Sequence, residues 1–159
     1  MLDIKQLRDD VVRPVLTALK AHSAGAEALL LGTAAQESHV TYLRQLGGGP
    51  ALGIYQMEPA THDDIWDNYL SYRDSVADGV SAYLAPNQPR HDQLIWNLAY
   101  ATAMCRMHYR RVPAAIPAAN DVTGLAAYWK AHYNTIQGAG TEEEFIENFD
   151  RARIGSIEV

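Results

Sequence analysis

The chain has 159 residues, 48% hydrophobic and 20% charged, the proportions of one soluble globular domain with a single core and not of a disordered chain. Thirteen Lys+Arg against nineteen Asp+Glu leave a net charge of −6 with no basic block, which argues against a sequence-independent nucleic-acid surface and against a basic membrane anchor. The one cysteine, Cys105, has no partner for an internal disulfide and no zinc-site spacing.

The N-terminus, Met1-Leu2-Asp3-Ile4-Lys5, lacks the basic-then-apolar order of a signal peptide, so none is expected. From there Ile4, Leu7, Val11, Val12, Val15, Leu16 and Leu19 form a stripe of helical period, with Asp3 placed to cap it and Pro14 to bend it. A second helix is predicted from Ser23, an N-cap, to Ser38, with Glu27 in its first turns. Its centre, residues 28–35, has almost no polar face and belongs in the middle of the domain, and the stretch is too short to span a bilayer. Gly47-Gly48-Gly49-Pro50 marks a loop, and Gly53 to Met57 a turn or brief extended segment. Thr61 is predicted to cap a helix through Ile65, Trp66, Tyr69 and Leu70, and another helix follows over 72–84. After the Pro86-Asn87-Gln88-Pro89 break, 92–111 reads as one long helix, with Leu94, Ile95, Leu98, Ala101, Met104, Cys105 and His108 in line and Cys105 as a buried, inert thiol. Pro113 and Pro117 bracket an irregular link, and helices follow over 122–132 and 141–149, the last opened by a Thr141–Glu144 capping box. Two-residue alternation, internal repeats and dividing linkers are all absent. The expected fold is therefore one all-α domain over residues 1–159.

Glu37 stands near the C-terminal end of the apolar helix. Apolar surroundings and the negative end of a helix both push a carboxyl pKa upward, and a carboxyl protonated near neutral pH is what a general acid requires. Taken alone, Glu37 reads better as a last-turn glutamate that simply points to water. Downstream, Gly53-Ile54-Tyr55-Gln56-Met57-Glu58-Pro59-Ala60-Thr61 resembles the G-L-M-Q-I-M-P-A-T signature of the soluble lytic transglycosylases of the lysozyme-like superfamily. Gly53, Gln56, Pro59, Ala60 and Thr61 match outright, and Tyr55 and Glu58 depart from the pattern. Ala131-His132-Tyr133-Asn134, with Gly138 and Gly140 after it, resembles the late A-Y-N motif of that family with a histidine inserted. The three motifs occur in the family's order, after a Glu37-Ser38 pair.

The resemblance implies a lysozyme-like helical fold with little or no sheet and a sugar-binding cleft. Glu37 would be the single catalytic acid/base. Ser38 would help hold that carboxyl or the sugar, and Gly53, Tyr55, Gln56 and Met57 would form the cleft wall. Tyr133 would bring a hydroxyl near the carboxyl, with Asn134 its motif partner. The implied reaction cleaves the β-1,4 bond between N-acetylmuramic acid and N-acetylglucosamine, the muramic C6 hydroxyl closing a 1,6-anhydro ring, so the implied partners are peptidoglycan glycan strands and no cofactor is needed. Glu58, Asp63 and Asp64 lie just beyond the motif, and one of them facing Glu37 would make the enzyme a hydrolytic muramidase. Asp63 and Asp64 also read as helix N-terminal charge stabilisation. Tyr55 is the aromatic expected to stack on a sugar, Trp66 and Trp96 read as core, and the triple glycine reads as a mobile lip.

The six histidines form neither an H-x-x-x-H pair nor an H-E-x-x-H motif, so no metal is expected, and His39 and His132 are candidates to support the motif residues. The expected setting is a bacteriophage particle that opens the host cell wall, with other tail or baseplate proteins as partners; a free endolysin, a structural tail protein on the same fold and a non-catalytic carbohydrate-binding module are the competing readings.

Overall fold

The most apolar helix of the sequence runs through the centre of the molecule. In the computed structural model, which describes residues 1–134 and 138–157, it spans Ala24–Ser38 and buries every residue except Ala24, Gln36 and Glu37. Ser23 caps it as expected, its hydroxyl accepting from the Ala26 N–H at 3.0 Å. The helices Val122–Trp129 and Glu142–Arg151 pack against it, and Trp129, Phe145 and Phe149 form an aromatic row along the contact. The capping box at Thr141 and Glu144 forms with both of its hydrogen bonds.

A second apolar cluster gathers Ile65, Leu70, Val80, Leu94, Met104 and Met107. The helix Leu98–Arg110 belongs to both clusters: Ala101, Cys105 and Tyr109 face the central helix, and Tyr100, Ala103, Met104 and Met107 face the other way. One helix shared between two clusters makes the chain a single compact, mostly helical domain. Cys105 is fully buried, and burial pushes its thiol pKa well up, so it is inert. Among the described residues the only strand-like pairings are the bridges Arg44 to Leu52 and Leu52 to Met57, and no helix is long and apolar enough to cross a membrane.

Several boundaries differ from the sequence reading. The first helix runs over residues 4–18, with a π-helical stretch, Leu7–Val12, just before Pro14. Pro14 has no N–H to return to the preceding turn, and the Arg13 N–H instead reaches the Arg8 carbonyl, five residues back. Thr61 is not a cap: the helix is Pro59–Asn68, Glu58 is its N-cap, and Pro59 takes the first position, where a missing N–H has no consequence. The next helix is Asp74–Ser81, shorter than predicted. The predicted helix over 92–111 is two, Arg90–Trp96 and Leu98–Arg110. Asn97 breaks it: its Oδ1 accepts from the Tyr100 N–H at 3.1 Å, and its amide donates to the Tyr83 carbonyl and to Gln93. Trp96 beside this break is half exposed and not part of the core.

Candidate active site

Glu37 is the penultimate residue of the central helix. Its half-buried side chain opens on a recess of about 470 Å³ lined by Gln56, Met57, Glu58, Tyr133 and Asn134, with Gln45, Ala51, Thr61, His108 and Gly138 completing the wall. The three segments singled out in the sequence therefore meet around one carboxyl. Burial is the larger influence on Glu37 and raises its pKa to about 7; the Trp129 indole, donating to Oε1 at 2.9 Å, acts in the opposite direction. Among the described residues no cation pairs with it.

The turn that carries Gln56 is built by backbone geometry. Gly53 sits at φ 76°, and a Cβ there would fall 1.9 Å from the Leu94 carbonyl oxygen, so only glycine fits. Gly53 thus shapes the turn without lining the recess. Gln56, at φ 47°, donates its side-chain amide back to the Gly53 carbonyl at 2.7 Å, which fixes the tight turn between the paired residues Leu52 and Met57.

Besides Gly53, expected in the cleft wall, two more residues change role. Ser38 is buried, and its hydroxyl lies 2.7 Å from the Ile54 carbonyl and 3.1 Å from that of Ala34, so it bolts the turn onto the helix and touches neither the Glu37 carboxyl nor the recess. Tyr55 is 1% exposed, with its hydroxyl 2.9 Å from that of Thr102, so it is a core residue and offers no face to a sugar. The positive φ at Gln56 reverses the chain just after Tyr55 and sends that ring inward. What Tyr55 gives the site is its carbonyl, which accepts from the Tyr133 hydroxyl at 2.6 Å.

Tyr133 and Asn134 end a π-helical continuation, Lys130–Asn134, of the helix Val122–Trp129. Lys130 closes the segment from inside. Its ammonium donates to Asn134 Oδ1 at 2.7 Å, to the Gly138 carbonyl at 2.9 Å and to the Gly140 carbonyl at 2.6 Å. Gly140 lies so close to the Trp129 indole that a Cβ would come within 2.7 Å of the ring, so a side chain there would crowd the indole that holds Glu37.

His108, read from the sequence as part of an apolar stripe, also lines the recess. Its ring meets Tyr133 edge-on at 4.7 Å, accepts from Arg111 at 2.8 Å on Nδ1 and reaches the His132 carbonyl. Burial above all, with the Arg111 charge beside it, lowers its pKa to about 4, so it is neutral at physiological pH. His108 and the Trp129 N–H are the site residues that the sequence reading did not assign. The available signal was a titratable ring inside an otherwise apolar stripe. His39 is an exposed helix C-cap, and the His132 ring packs on Tyr128 at 4.6 Å, so neither ring supports Glu37.

Of the acidic residues after the turn, Glu58 reaches the recess and is exposed. Asp63 is engaged with His62 and His91, and Asp64 with Arg111 and Asn68, and neither lines the recess. Comparison of the chain with protein-family models, with curated proteins and with solved structures finds no match.

Proposed function

We propose that the protein is a peptidoglycan-cleaving lytic transglycosylase in which Glu37 is the only residue that moves protons. The observation that carries this reading is the convergence of Glu37, Gln56–Met57 and Tyr133–Asn134, which are far apart in the chain, on one recess. The wall chemistry supports it. Apart from the carboxyls of Glu37 and Glu58, its hydrogen-bonding side chains are amides, hydroxyls and a neutral imidazole, which suits a polar ligand such as a glycan.

With a pKa of about 7, Glu37 holds its proton in a large fraction of molecules near neutral pH. Trp129 occupies Oε1, which leaves Oε2 to carry that proton to the glycosidic oxygen as the bond to the anomeric carbon breaks. The carboxylate left behind keeps the indole hydrogen bond. It then takes the proton of the muramic C6 hydroxyl as that oxygen attacks the anomeric carbon and closes the 1,6-anhydro ring. The nucleophile is part of the bound substrate, so orientation replaces a second carboxylate. A second reading, hydrolysis, is favoured by the presence of Glu58 in the same recess, where it could activate a water.

Mass spectrometry of sacculi digested with the purified protein separates the readings. Anhydro-muropeptides are the expected product. New reducing ends would replace the transglycosylase by a muramidase, and no product would sink both and leave a structural or glycan-binding role.

A further inference from the structure

Beyond the recess, the helix Pro59–Asn68 carries a second cluster. His62 and Asp63 on that helix meet His91 on the helix Arg90–Trp96. The Asp63 Oδ1 lies 2.9 Å from His62 Nδ1 and 2.7 Å from His91 Nε2, and the two rings stand edge-on with centroids 4.9 Å apart. One ligating atom from each of the three residues falls within 4.8 Å of the others. Both imidazoles thus aim a ring nitrogen at a single carboxylate oxygen.

The surroundings are those of a positioned ligand and not of a chance surface contact. His62 is 1% exposed, and its far nitrogen is held by the Tyr100 hydroxyl at 2.7 Å, which itself accepts from the Trp66 indole at 2.9 Å. A hydrogen bond on the non-ligating nitrogen is what fixes ring orientation and tautomer in metal sites. The other side is open: Asp63 and His91 are partly exposed, and Asp67, one helical turn after Asp63, lines the same recess. Open positions are therefore available for water or for Asp67. The Arg90 guanidinium lies over the Trp66 ring at 4.4 Å and lines the same recess, so its charge opposes a cation there and the Asp63 and Asp67 carboxylates must offset it.

We propose that His62 Nδ1, His91 Nε2 and the Asp63 carboxylate bind one divalent transition-metal ion of the zinc class, which clamps the helix Pro59–Asn68 to the helix Arg90–Trp96. Two imidazoles and one carboxylate are the donors that select zinc and its neighbours over the all-oxygen sites of calcium or magnesium. Binding needs no oxidant or reductant. The ring proton of His62 moves from Nδ1 to Nε2, where the Tyr100 oxygen can accept it, that of His91 moves to Nδ1, and the ion takes the freed lone pairs. The clamp acts one turn beyond Glu58 and directly after Thr61, so it steadies the helix whose start forms part of the recess wall.

Titration of the full chain with zinc chloride in a calorimeter tests this. One saturable ion per chain is expected, with visible d–d bands of a nitrogen- and oxygen-ligated ion when cobalt(II) is used in its place. At about a hundredfold excess of zinc over Kd the melting temperature should rise by about 5 °C. His91→Ala and Asp63→Asn, both at exposed positions, should each weaken binding at least about tenfold and remove that rise while melting like the parent in chelator. Glu37→Gln should bind zinc as the parent does. Absence of saturable binding, or equal affinity in the His91→Ala and Asp63→Asn variants, would overturn the assignment.

Discussion

Two glutamates sit at opposite ends of the same buried helix and are treated in opposite ways. Burial pushes both carboxyls toward the protonated form. At Glu27 that push is outweighed. Arg13 donates to both oxygens, at 2.9 and 2.7 Å, and His22 lies 2.9 Å from Oε2, which together hold the pKa below the usual carboxylate value. At Glu37 the donor among the described residues is the neutral Trp129 indole, and the pKa settles at about 7. Burial pushes the same way in both places, and among the described residues a cation at Glu27 and none at Glu37 decides the outcome. The first end is a structural ion pair between the N-terminal helix and the central one. The second is a carboxyl poised to give and take a proton.

The largest effect expected from breaking this contrast is on turnover. Glu37→Gln keeps the shape and removes the proton, so the rate of turbidity loss of purified peptidoglycan should fall by about 10³-fold with the fold intact by circular dichroism. At the other end, Glu27→Gln leaves Arg13 facing an uncharged amide at a buried position. The Arg13 side chain is 39% exposed and partly solvated, so stability should fall by about 2 kcal/mol at pH 7, and thermal denaturation should show a fall in melting temperature of about 6 °C. In the parent, the Glu27 contribution is present at neutral pH, because its folded pKa lies below the unfolded one, and it is lost as the pH falls through that folded value.

Glu37 has the opposite linkage. In the folded chain it keeps its proton up to about pH 7, whereas unfolded it loses it near the ordinary value of 4.5. Its effect on stability is therefore most favourable below about pH 4.5 and declines between there and pH 7. Glu37→Gln should erase that decline, making the inactive variant more stable than the parent at pH 8 by about 2 kcal/mol, a figure reduced for the partial exposure of the side chain. Equilibrium urea unfolding at pH 4 and at pH 8 reads the difference, and equal gains at both pH values would argue against it.

Trp129→Phe removes the indole hydrogen bond that favours the charged form of Glu37, and should move the alkaline limb of the pH–rate profile upward by about half a unit. Tyr133→Phe, the smallest change, loses the bond to the Tyr55 carbonyl, with an expected cost of about 1 kcal/mol and a fall of about 3 °C in the melting curve.

Much of the architecture was legible where one local force dominated. The central helix follows from an unbroken apolar run after a serine cap, and the last helix from its capping box. The turn at residues 53–56 was legible because glycine is the residue that takes the positive φ it requires. Other features depend on partners that local sequence does not reveal. Asn97 ends a helix with no proline or glycine, by satisfying backbone and side-chain groups on both sides of the break. Tyr55 reads as a cleft aromatic until the reversal at Gln56 turns it inward. Trp129 finds Glu37, and His91 finds His62, only through the register of packed helices, which no spacing along the chain encodes.

The account turns on the state of one carboxyl in the folded protein. A carbon-13 NMR titration of the Glu37 side-chain carboxyl, assigned by its disappearance in Glu37→Gln, measures it directly. The midpoint should lie near pH 7, with Glu27 titrating below its ordinary value in the same spectra. A Glu37 midpoint at the ordinary 4.5 would leave no acid in the recess at neutral pH and would contradict the proposed chemistry.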